Sequence, residues 1–305
     1  MSTVVAAYGT GYLRTTITRE DDGSHRWTRR PGPDRGGEIR APHPALRSAV
    51  ASIPEGRVAL TLPEPSGDGG VTYRTRRFRS VAFLFLAPPP DGTDPRPLIE
   101  DTLTEAARTL ARLHAVPVPG VELPDVPTGV RRLLGWLRGG TGPRGAAELH
   151  RRAGRVLGRE RLGLVESWCA ESGGRRVLLH GAPGHGVLLP GGELLIGEDL
   201  AAGPPEFDLG WLVGELVEFG HAGPPDAPYG RADHDSFIET LLDAYPAPLD
   251  LAAVGRVALL RFLTHTRDYA SFMGWHDMLD GYLTVLADVI DAAAEGRLLR
   301  EASRR

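Results

Sequence analysis

The chain of 305 residues contains no lysine, no asparagine and no glutamine, so all 35 of its basic residues are arginines. Arginine stays charged and binds carboxylates or phosphates in bidentate fashion, but it cannot act as a titratable lysine base. The absence of lysine excludes a P-loop. Alanine, glycine, proline and arginine are all abundant, as a GC-rich genome would produce, so the bias alone identifies no function.

Cysteine occurs once, at Cys169. A single cysteine excludes an internal disulfide and any zinc site built from cysteines. The neighbouring Trp168 and a predicted helical setting indicate a buried thiol rather than a nucleophile. HExxH, CxxC and GxSxG motifs are missing as well, so metalloprotease and hydrolase functions have no support.

Long apolar runs are also missing, and the longest, over residues 81–87, is far too short for a membrane span. The start of the chain is polar and shows no secretory signal. The net charge of −4 implies no strong attraction to nucleic acid or membranes. We therefore expect a cytoplasmic protein with neither nucleic acid nor membrane among its partners.

Local patterns divide the chain into a β-rich part and a helical part. The length of the chain suits two lobes around a cleft. Proline-rich residues 88–97 predict the linker, and helical periodicity begins at Leu98. The predicted fold is α+β, with a β-rich lobe over residues 1–90 and a helical lobe over 91–305. Predicted strands cover residues 12–18, 25–29, 57–62 and 71–86, and predicted helices cover 44–53, 98–113, 133–138, 146–170, 209–219, 235–244, 252–272 and 278–295.

Residues 177–211, VLLHGAPGHGVLLPGGELLIGEDLAAGPPEFDLGW, resemble the catalytic stretch of the aminoglycoside phosphotransferase and choline kinase-like family. That stretch runs HGD-x4-N, a hairpin, an Ile-Asp turn and GDPxxDL. His180-Gly181, Ile196 and the box GPPEFDL match it, and residues 110–114, LARLH, match the family's LAxLH helix. The resemblance implies a bilobal protein kinase-like fold with its catalytic hairpins at residues 177–200.

Three positions that carry chemistry in this family have changed. Ala182 stands in place of the catalytic Asp, Val187 in place of the Asn that holds Mg²⁺, and Gly197 in place of the metal-binding Asp. The family's phosphate-binding lysine is also lost, although Arg29 or Arg30 lies near its expected place and Gly9-Thr10-Gly11 weakly matches a phosphate loop. Glu198 and Asp199 could instead form a rebuilt metal site through their oxygens.

The candidate catalytic residues are His180, His185, Glu198 and Asp199. In the family the equivalent of His180 is largely structural, while a base role stays open because histidine titrates near neutral pH. We expect His185, Glu198 and Asp199 to be exposed loop residues if they have no such role. Asp208 should accept backbone N–H groups at a helix start. The candidate substrate-binding residues are Arg29, Asp208, Arg261, His265, Asp268 and Trp275; three of these share a helical face, which could equally be an ordinary salt-bridged surface.

Because these positions have changed within a recognisable stretch, the resemblance implies a pseudokinase. The fold alone does not fix the chemistry. The wording HGAPxxG and GPPEFDLGW is similar to kinase-like proteins of thioamitide and class V-type lanthipeptide biosynthesis. This implies a precursor peptide and other biosynthetic proteins as partners, no cofactor or metal, and a role in Ser/Thr dehydration or thioether ring formation. The alternatives are an active kinase that uses ATP and Mg²⁺ at a rebuilt site, on a peptide or a small molecule, and a non-enzymatic scaffold.

Overall fold

The computed structural model describes residues 2–87, 92–171, 174–223 and 226–299. Its N-terminal part contains a five-stranded antiparallel sheet in the order β1-β2-β3-β6-β5. The elements of this part are β1 (Thr3–Gly9), β2 (Leu13–Arg19), β3 (His25–Pro31), α1 (Pro44–Ala51), β4 (Ala59–Thr61), β5 (Glu64–Ser66) and β6 (Gly70–Thr75).

One face of this sheet is buried. Ile17, Trp27 and Tyr73 lie opposite one another on β2, β3 and β6, and all three are buried. Because successive side chains of a strand point to opposite faces, the arginines that alternate with them face outward. The sheet therefore presents its apolar face to the rest of the molecule.

The predicted strand over residues 71–86 is wrong in its second half. β6 ends at Thr75, and helix α2 (Val81–Leu86) follows. Val81, Leu84 and Phe85 are its buried residues, at the spacing of one helical face. A short apolar run cannot be assigned to strand or helix from periodicity alone, which explains the error. The predicted linker over 88–97 and the lobe boundary at 90 fall partly on residues 88–91, which lie outside the described residues.

The C-terminal part is mostly helical, as predicted. An antiparallel bridge between Leu188 and Leu194 confirms the hairpin expected between β7 and β9. The predicted helix over 146–170 consists of two helices that meet at Leu157. The elements are α3 (Arg96–Ala115), α4 (Thr128–Gly139), α5 (Ala146–Val156), α6 (Gly158–Ala170), β7 (Val177–Leu179), β8 (Glu193–Leu195), β9 (Ala201–Gly203), α7 (Glu206–Ala222), α8 (Arg231–Asp243), α9 (Leu251–Phe272) and α10 (Met278–Ala294).

Two contacts position the residues discussed below. β4 pairs in parallel with β8, which attaches the N-terminal part to the hairpin. Helices α7 and α9 approach closely at Gly210 and Gly214, where an added Cβ would lie 2.6 Å from the Cβ atoms of Val257 and Arg261. This approach brings the polar residues of α7 next to those of α9.

Within the described ranges, no helix is long and apolar enough to cross a membrane.

Candidate functional site

The loop that follows β7 is held in place by the carboxylate of Asp208. This side chain is fully buried; its Oδ2 accepts the N–H of His180 at 2.7 Å and its Oδ1 accepts the N–H of Gly181 at 2.9 Å. Nε2 of His114 lies 3.0 Å from the same Oδ2. As expected, Asp208 lies in the first turn of a helix and accepts backbone N–H groups, but these N–H groups belong to the loop after β7 and not to its own helix. Pairing of β7 with β9 places the loop beside the first turn of α7, and Asp208 lies behind the loop rather than at a substrate surface.

Gly181 allows the loop to turn at this point. Its φ is +81°, and a Cβ there would lie 1.8 Å from the carbonyl oxygen of Asp199. Only glycine combines this backbone conformation with such a close approach. The turn brings Ala182 to the wall of a cavity between the sheet and the helices.

His180 is a structural residue in this arrangement. Its Nε2 donates to the carbonyl of Leu195 at 3.0 Å, and its Nδ1 accepts from the N–H of Ala182 at 3.4 Å. Burial lowers the pKa of the imidazole, although Asp208 and Asp199 oppose this shift. With both nitrogens in use and the neutral form favoured, His180 fixes the loop to the hairpin and has no nitrogen left for a substrate proton.

His185 is buried, so the expectation of an exposed loop histidine is wrong. Its backbone N–H and its Nδ1 lie 2.7 Å and 2.8 Å from Oε2 of Glu215 on α7, and its ring meets Phe85 edge-on. The loop turns inward because Glu215 satisfies both of these groups. Nε2 of His185 is buried and has no hydrogen-bond partner among the described residues.

Glu215 joins the loop to α9. Besides His185, it accepts hydrogen bonds from Nε of Arg261 at 3.2 Å and from a second nitrogen of the same guanidinium. Burial opposes ionisation of this carboxyl, but Arg261 and His185 together hold its pKa well below the usual range. Glu215 is therefore a carboxylate at neutral pH and a positioning group for both partners.

The residues present do not fit the Mg²⁺ site of a kinase. The positions of the family's base and metal ligands carry Ala182, Val187 and Gly197, none of which has a side-chain oxygen. Glu198 forms a bidentate ion pair with Arg35, one of its contacts being 3.1 Å. In the described part of the chain, no group of three or more His, Cys, Asp or Glu side chains is arranged to hold a metal ion.

Asp199 differs from its neighbour. Asp199 lines the cavity, and no described residue forms an ion pair with its carboxylate. Burial, together with the charge of Asp199, raises the pKa of Glu198, although Arg35 opposes the shift. Of the two acids that sequence reasoning placed in a rebuilt turn, Glu198 pairs with an arginine and Asp199 faces the cavity.

Arg29 and Arg30 point to opposite faces of β3. Arg30 pairs with Asp68 at the surface. The Arg29 guanidinium lies 5.6 Å from the ring centroid of Tyr73, beneath the sheet and within electrostatic range of Glu198. Arg29 is therefore the one of the two that occupies the region predicted for the missing lysine.

The loop at Gly9-Thr10-Gly11 is fastened to α9. The N–H of Gly11 donates to the carbonyl of Phe272 at 2.9 Å, and its carbonyl accepts from the N–H of Asp34 at 2.7 Å. In kinases a glycine-rich loop covers nucleotide phosphates. Here the backbone amide of Gly11 is already bonded within the protein.

Tyr12 follows this loop and enters the space between the two parts of the chain. The guanidinium groups of Arg35 and Arg132 lie over its ring, 4.6 Å and 4.4 Å from the ring centroid, and the ring centroid of Phe272 lies 4.9 Å away. Its hydroxyl accepts a hydrogen bond from Arg132 at 3.0 Å. The tyrosine thus forms the roof of the cavity below it.

An apolar cluster fills the interface between the sheet and the hairpin. From the sheet side come Ile17, Trp27 and their neighbours, and from the hairpin come Leu189 and Leu195. The indole N–H of Trp27 donates to the carbonyl of Arg77 at 3.2 Å, which fixes its ring. The cluster, in which every side chain is no more than 6% exposed, consists of Ile17, Trp27, Ile39, Val71, Tyr73, Leu189 and Leu195.

We call the space below Tyr12 the Tyr12 cavity; its volume is about 240 Å³. Thr264 lines it, is 2% exposed, and has a buried hydroxyl without a hydrogen-bond partner in the described chain. Such a hydroxyl is an uncommon feature that a ligand or water can satisfy. The lining residues used below are Tyr12, Arg132, Ala182, Gly186, Asp199, Trp211, Glu215, Arg261, Thr264, His265 and Asp268.

The structure brings together three of the predicted substrate-binding residues and separates a fourth. Arg261, His265 and Asp268 all line the Tyr12 cavity, and each is paired, with Glu215, Glu218 and Arg132 respectively. Trp275 stacks instead on Arg152, at 4.3 Å, and its indole bonds to Asp277. It contacts α5 because the chain turns away from the cavity after α9 ends.

Sequence reasoning missed Tyr12, Arg132 and Thr264. Tyr12 directly follows the glycine pair that was singled out, so its aromatic ring beside that loop was the available signal. Arg132 is one of 35 arginines, and nothing in its spacing distinguishes it. Thr264 stands out only because its buried hydroxyl has no hydrogen-bond partner among the described residues, and no sequence pattern predicts this.

Comparison with known proteins identifies the family. Residues 68–254 match the model of APH, the phosphotransferase enzyme family. The chain belongs to this family. The match includes the loop held by Asp208, the hairpin and α7, and it excludes β1–β3 with the Tyr12 loop. A search of curated proteins finds no match.

Solved structures of the family share this fold. An ethanolamine kinase of Plasmodium vivax, Pv091845, has a TM-score of 0.53 and 12% identity over 99% of this chain and 83% of its own. The amicoumacin kinase hAmiN, solved in complex with AMP-PNP, Ca²⁺ and Ami, has a TM-score of 0.54 and 13% identity over 96% of this chain and 88% of its own. At such identities the likeness shows the fold alone, which is the kinase-like α+β fold that the sequence predicted.

Proposed function

We propose that this family member is a pseudokinase that binds a peptide instead of transferring phosphoryl groups. The observation that supports this most is the apolar cluster between the sheet and the hairpin. A nucleotide base would have to displace buried side chains such as Trp27 and Leu195, at about 1.5–3 kcal/mol for each one exposed. Phosphoryl transfer also depends on positioning and on a metal clamp. Ala182, Val187 and Gly197 supply neither.

The size of the Tyr12 cavity favours a side chain over a whole small-molecule substrate. Its volume of about 240 Å³ lies below the roughly 300–1,000 Å³ that is usual for small-molecule sites. One or two side chains of a longer peptide fit this volume, while the rest of the peptide stays outside. In this cavity, Asp199 has no ion-pair partner and the hydroxyl of Thr264 has no hydrogen-bond partner among the described residues, so a bound peptide could supply both.

In this role the protein holds a precursor peptide of a modified-peptide pathway during Ser/Thr dehydration or thioether ring formation. Any help with the chemistry comes from acid–base groups in the cavity, without a metal. The carboxylate of Asp199 accepts a proton or orients a cationic group. His265 serves as a donor, since the charge of Glu218 raises the pKa of its imidazole.

Calorimetry tests the two parts of this proposal separately. Titration with ATP and Mg²⁺ should give no binding, and no phosphate transfer to Ser- and Thr-containing peptides should follow. Titration with synthetic copies of short peptides encoded beside the gene should give binding for at least one of them. Turnover with ATP at an ordinary kinase rate would overturn the proposal in favour of an active enzyme.

A cavity-filling variant locates the binding. Gly186 lines the Tyr12 cavity, and a Cβ there meets no atom within 4 Å, so Gly186→Leu adds a large side chain at the cavity wall without a clash at its Cβ. The matched control is Gly281→Leu on α10, which is equally open. Peptide binding should be lost in the first variant and kept in the second. Equal binding in both would mean that the peptide does not enter this cavity.

A further inference from the structure

Strand β1 leaves one edge of the sheet open. β1 is the terminal strand, and among the described residues no backbone group of Thr3–Gly9 bonds to any segment except β2. The strand carries no charge and no proline, and Val4 and Tyr8 are 58% and 54% exposed. Proteins usually protect an edge with charges, proline or a cover, because an open edge pairs with other chains.

Ala7 presents its backbone to this open edge. The N–H of Thr10 bonds to the carbonyl of Leu13, and the pairing continues as Gly9 with Arg14 and Ala7 with Thr16. In an antiparallel ladder bonded and non-bonded pairs alternate, so the N–H and C=O of Ala7 point away from β2. The register shift between Val4 and Ala6 limits the regular part of the edge to Ala6–Gly9.

A second cavity lies at this same part of the edge. It has a volume of about 470 Å³ and is bounded by β1 and β2 on one side and by the end of α9 on the other. Tyr8 and Met273, both at least half exposed, line it. It shares no lining residue with the Tyr12 cavity. The residues of this space, which we call the β1 groove, are Ala7, Tyr8, Gly9, Arg14, Arg144, Phe272 and Met273 with their neighbours.

The charges of the groove are positive. Its charged lining residues are Arg14 and Arg144. Arg144 pairs with Asp34, at 2.9 Å, whereas Arg14 is exposed and forms no ion pair with any described residue. A carboxylate beside Arg14 would find a free guanidinium.

We propose that the β1 groove binds an extended peptide that adds a strand to β1 and places an acidic side chain next to Arg14. Strand addition uses main-chain hydrogen bonds for affinity and side-chain pockets for specificity, and the groove offers both. The end of α9 limits the space beside Gly9, which suits a single strand better than a second copy of the chain. This site is independent of the Tyr12 cavity, although one long peptide could occupy both.

Fluorescence polarisation with synthetic decapeptides tests this proposal. The probes alternate Val and Thr and carry Asp, Ser or Lys at one position. The Asp peptide should bind best. Ala7→Pro removes the free N–H without breaking the ladder to β2, and it should weaken binding by about tenfold. Ala232→Pro, the same change in the exposed first turn of α8, where proline is tolerated, is the matched control and should bind like the parent.

The charge is tested in the same way. Arg14→Glu should abolish the preference for Asp over Lys, while Arg155→Glu, an equal change of charge at an exposed residue of α5, should keep it. Binding that is unchanged by both Ala7→Pro and Arg14→Glu, or no binding of any probe, would overturn the proposal. A parent dimer in light scattering that Ala7→Pro converts to a monomer would overturn it as well, since a second copy would then occupy the edge. Gly186→Leu should not affect these probes, which separates this site from the proposed function.

Discussion

The hydroxyl of Tyr12 accepts a hydrogen bond of 3.0 Å from Arg132, and this contact joins the glycine loop of the sheet to helix α4. Arg132 in turn donates to Asp268 on α9 at 2.8 Å. The chain Tyr12–Arg132–Asp268 therefore connects three elements that are far apart in sequence. These three residues line the Tyr12 cavity, and the apolar cluster fills the interface between the sheet and the hairpin.

Tyr12→Ala should loosen this connection. Loss of the stacked ring and of its hydrogen bond should lower the free energy of unfolding by about 2 kcal/mol. Hydrogen exchange of the amides in residues 9–13 should become faster. Tyr8→Ala, at an exposed tyrosine four residues earlier, should change the stability by less than about 0.5 kcal/mol. Similar losses in the two variants, measured by urea unfolding, would contradict this prediction.

Asp208→Asn should be among the most destabilising single changes. The amide cannot accept both backbone N–H groups and keep the hydrogen bond with His114, so buried partners lose their bonds. We expect a loss of about 3 kcal/mol in urea unfolding. Asp243→Asn, at an exposed position of α8, is the control and should be nearly neutral. An unchanged midpoint for Asp208→Asn would show that the loop does not depend on this carboxylate.

Two glycine variants should move stability in opposite directions. Gly181→Ala forces a Cβ into the carbonyl of Asp199 at a positive φ, and it should destabilise the protein by at least about 2 kcal/mol. Gly163→Ala lies on an exposed and open face of α6, where alanine should stabilise by about 0.5–1 kcal/mol. Thermal melts of both variants check the pair of signs.

Acid should weaken the protein through His234. Burial, and then the neighbouring His185, lowers the pKa of His234 to about 4. The unfolded chain binds this proton near pH 6.5, so stability is present at neutral pH and falls as the pH drops from about 6.5 towards 4. At pH 5 the loss from this group alone is about 2 kcal/mol.

His234→Phe removes this titration. The phenylalanine should keep the ring contacts with Phe85 and Phe219. The variant should therefore lose less stability than the parent between pH 7 and pH 5. Urea unfolding at both pH values measures the difference, and parallel losses in the two proteins would count against a buried neutral His234.

The sequence predicted the scaffold well because the scaffold depends on local patterns. The motifs around His180 and Asp208 match the family's motifs in order and spacing, and β7, the hairpin and α7 lie at the positions that these motifs predict. The prediction failed where a residue depends on distant partners. His185 looks like an exposed loop histidine until Glu215, 30 residues away, accepts its two hydrogen bonds.

The same reason explains the candidate site. The helical period of α9 placed Arg261, His265 and Asp268 on one face, and in the structure all three line one cavity and form ion pairs. Their role in substrate binding stays a prediction. Trp275 follows the end of that helix, where the period no longer applies, and it points elsewhere. The seven apolar side chains between the sheet and the hairpin come from six strands or loops, so no single segment of the sequence indicates the cluster.

That cluster also governs how far the two parts of the chain can move. Enzymes with a cleft between lobes open and close it by hinge motion during turnover. Here, an opening that exposed only two of the buried side chains, such as Trp27 and Leu195, would cost about 3–6 kcal/mol. That cost keeps the open form below about one molecule in a hundred at 25 °C. A partner that needed such an opening would therefore lose the same free energy from its binding, which favours partners that bind a surface already formed.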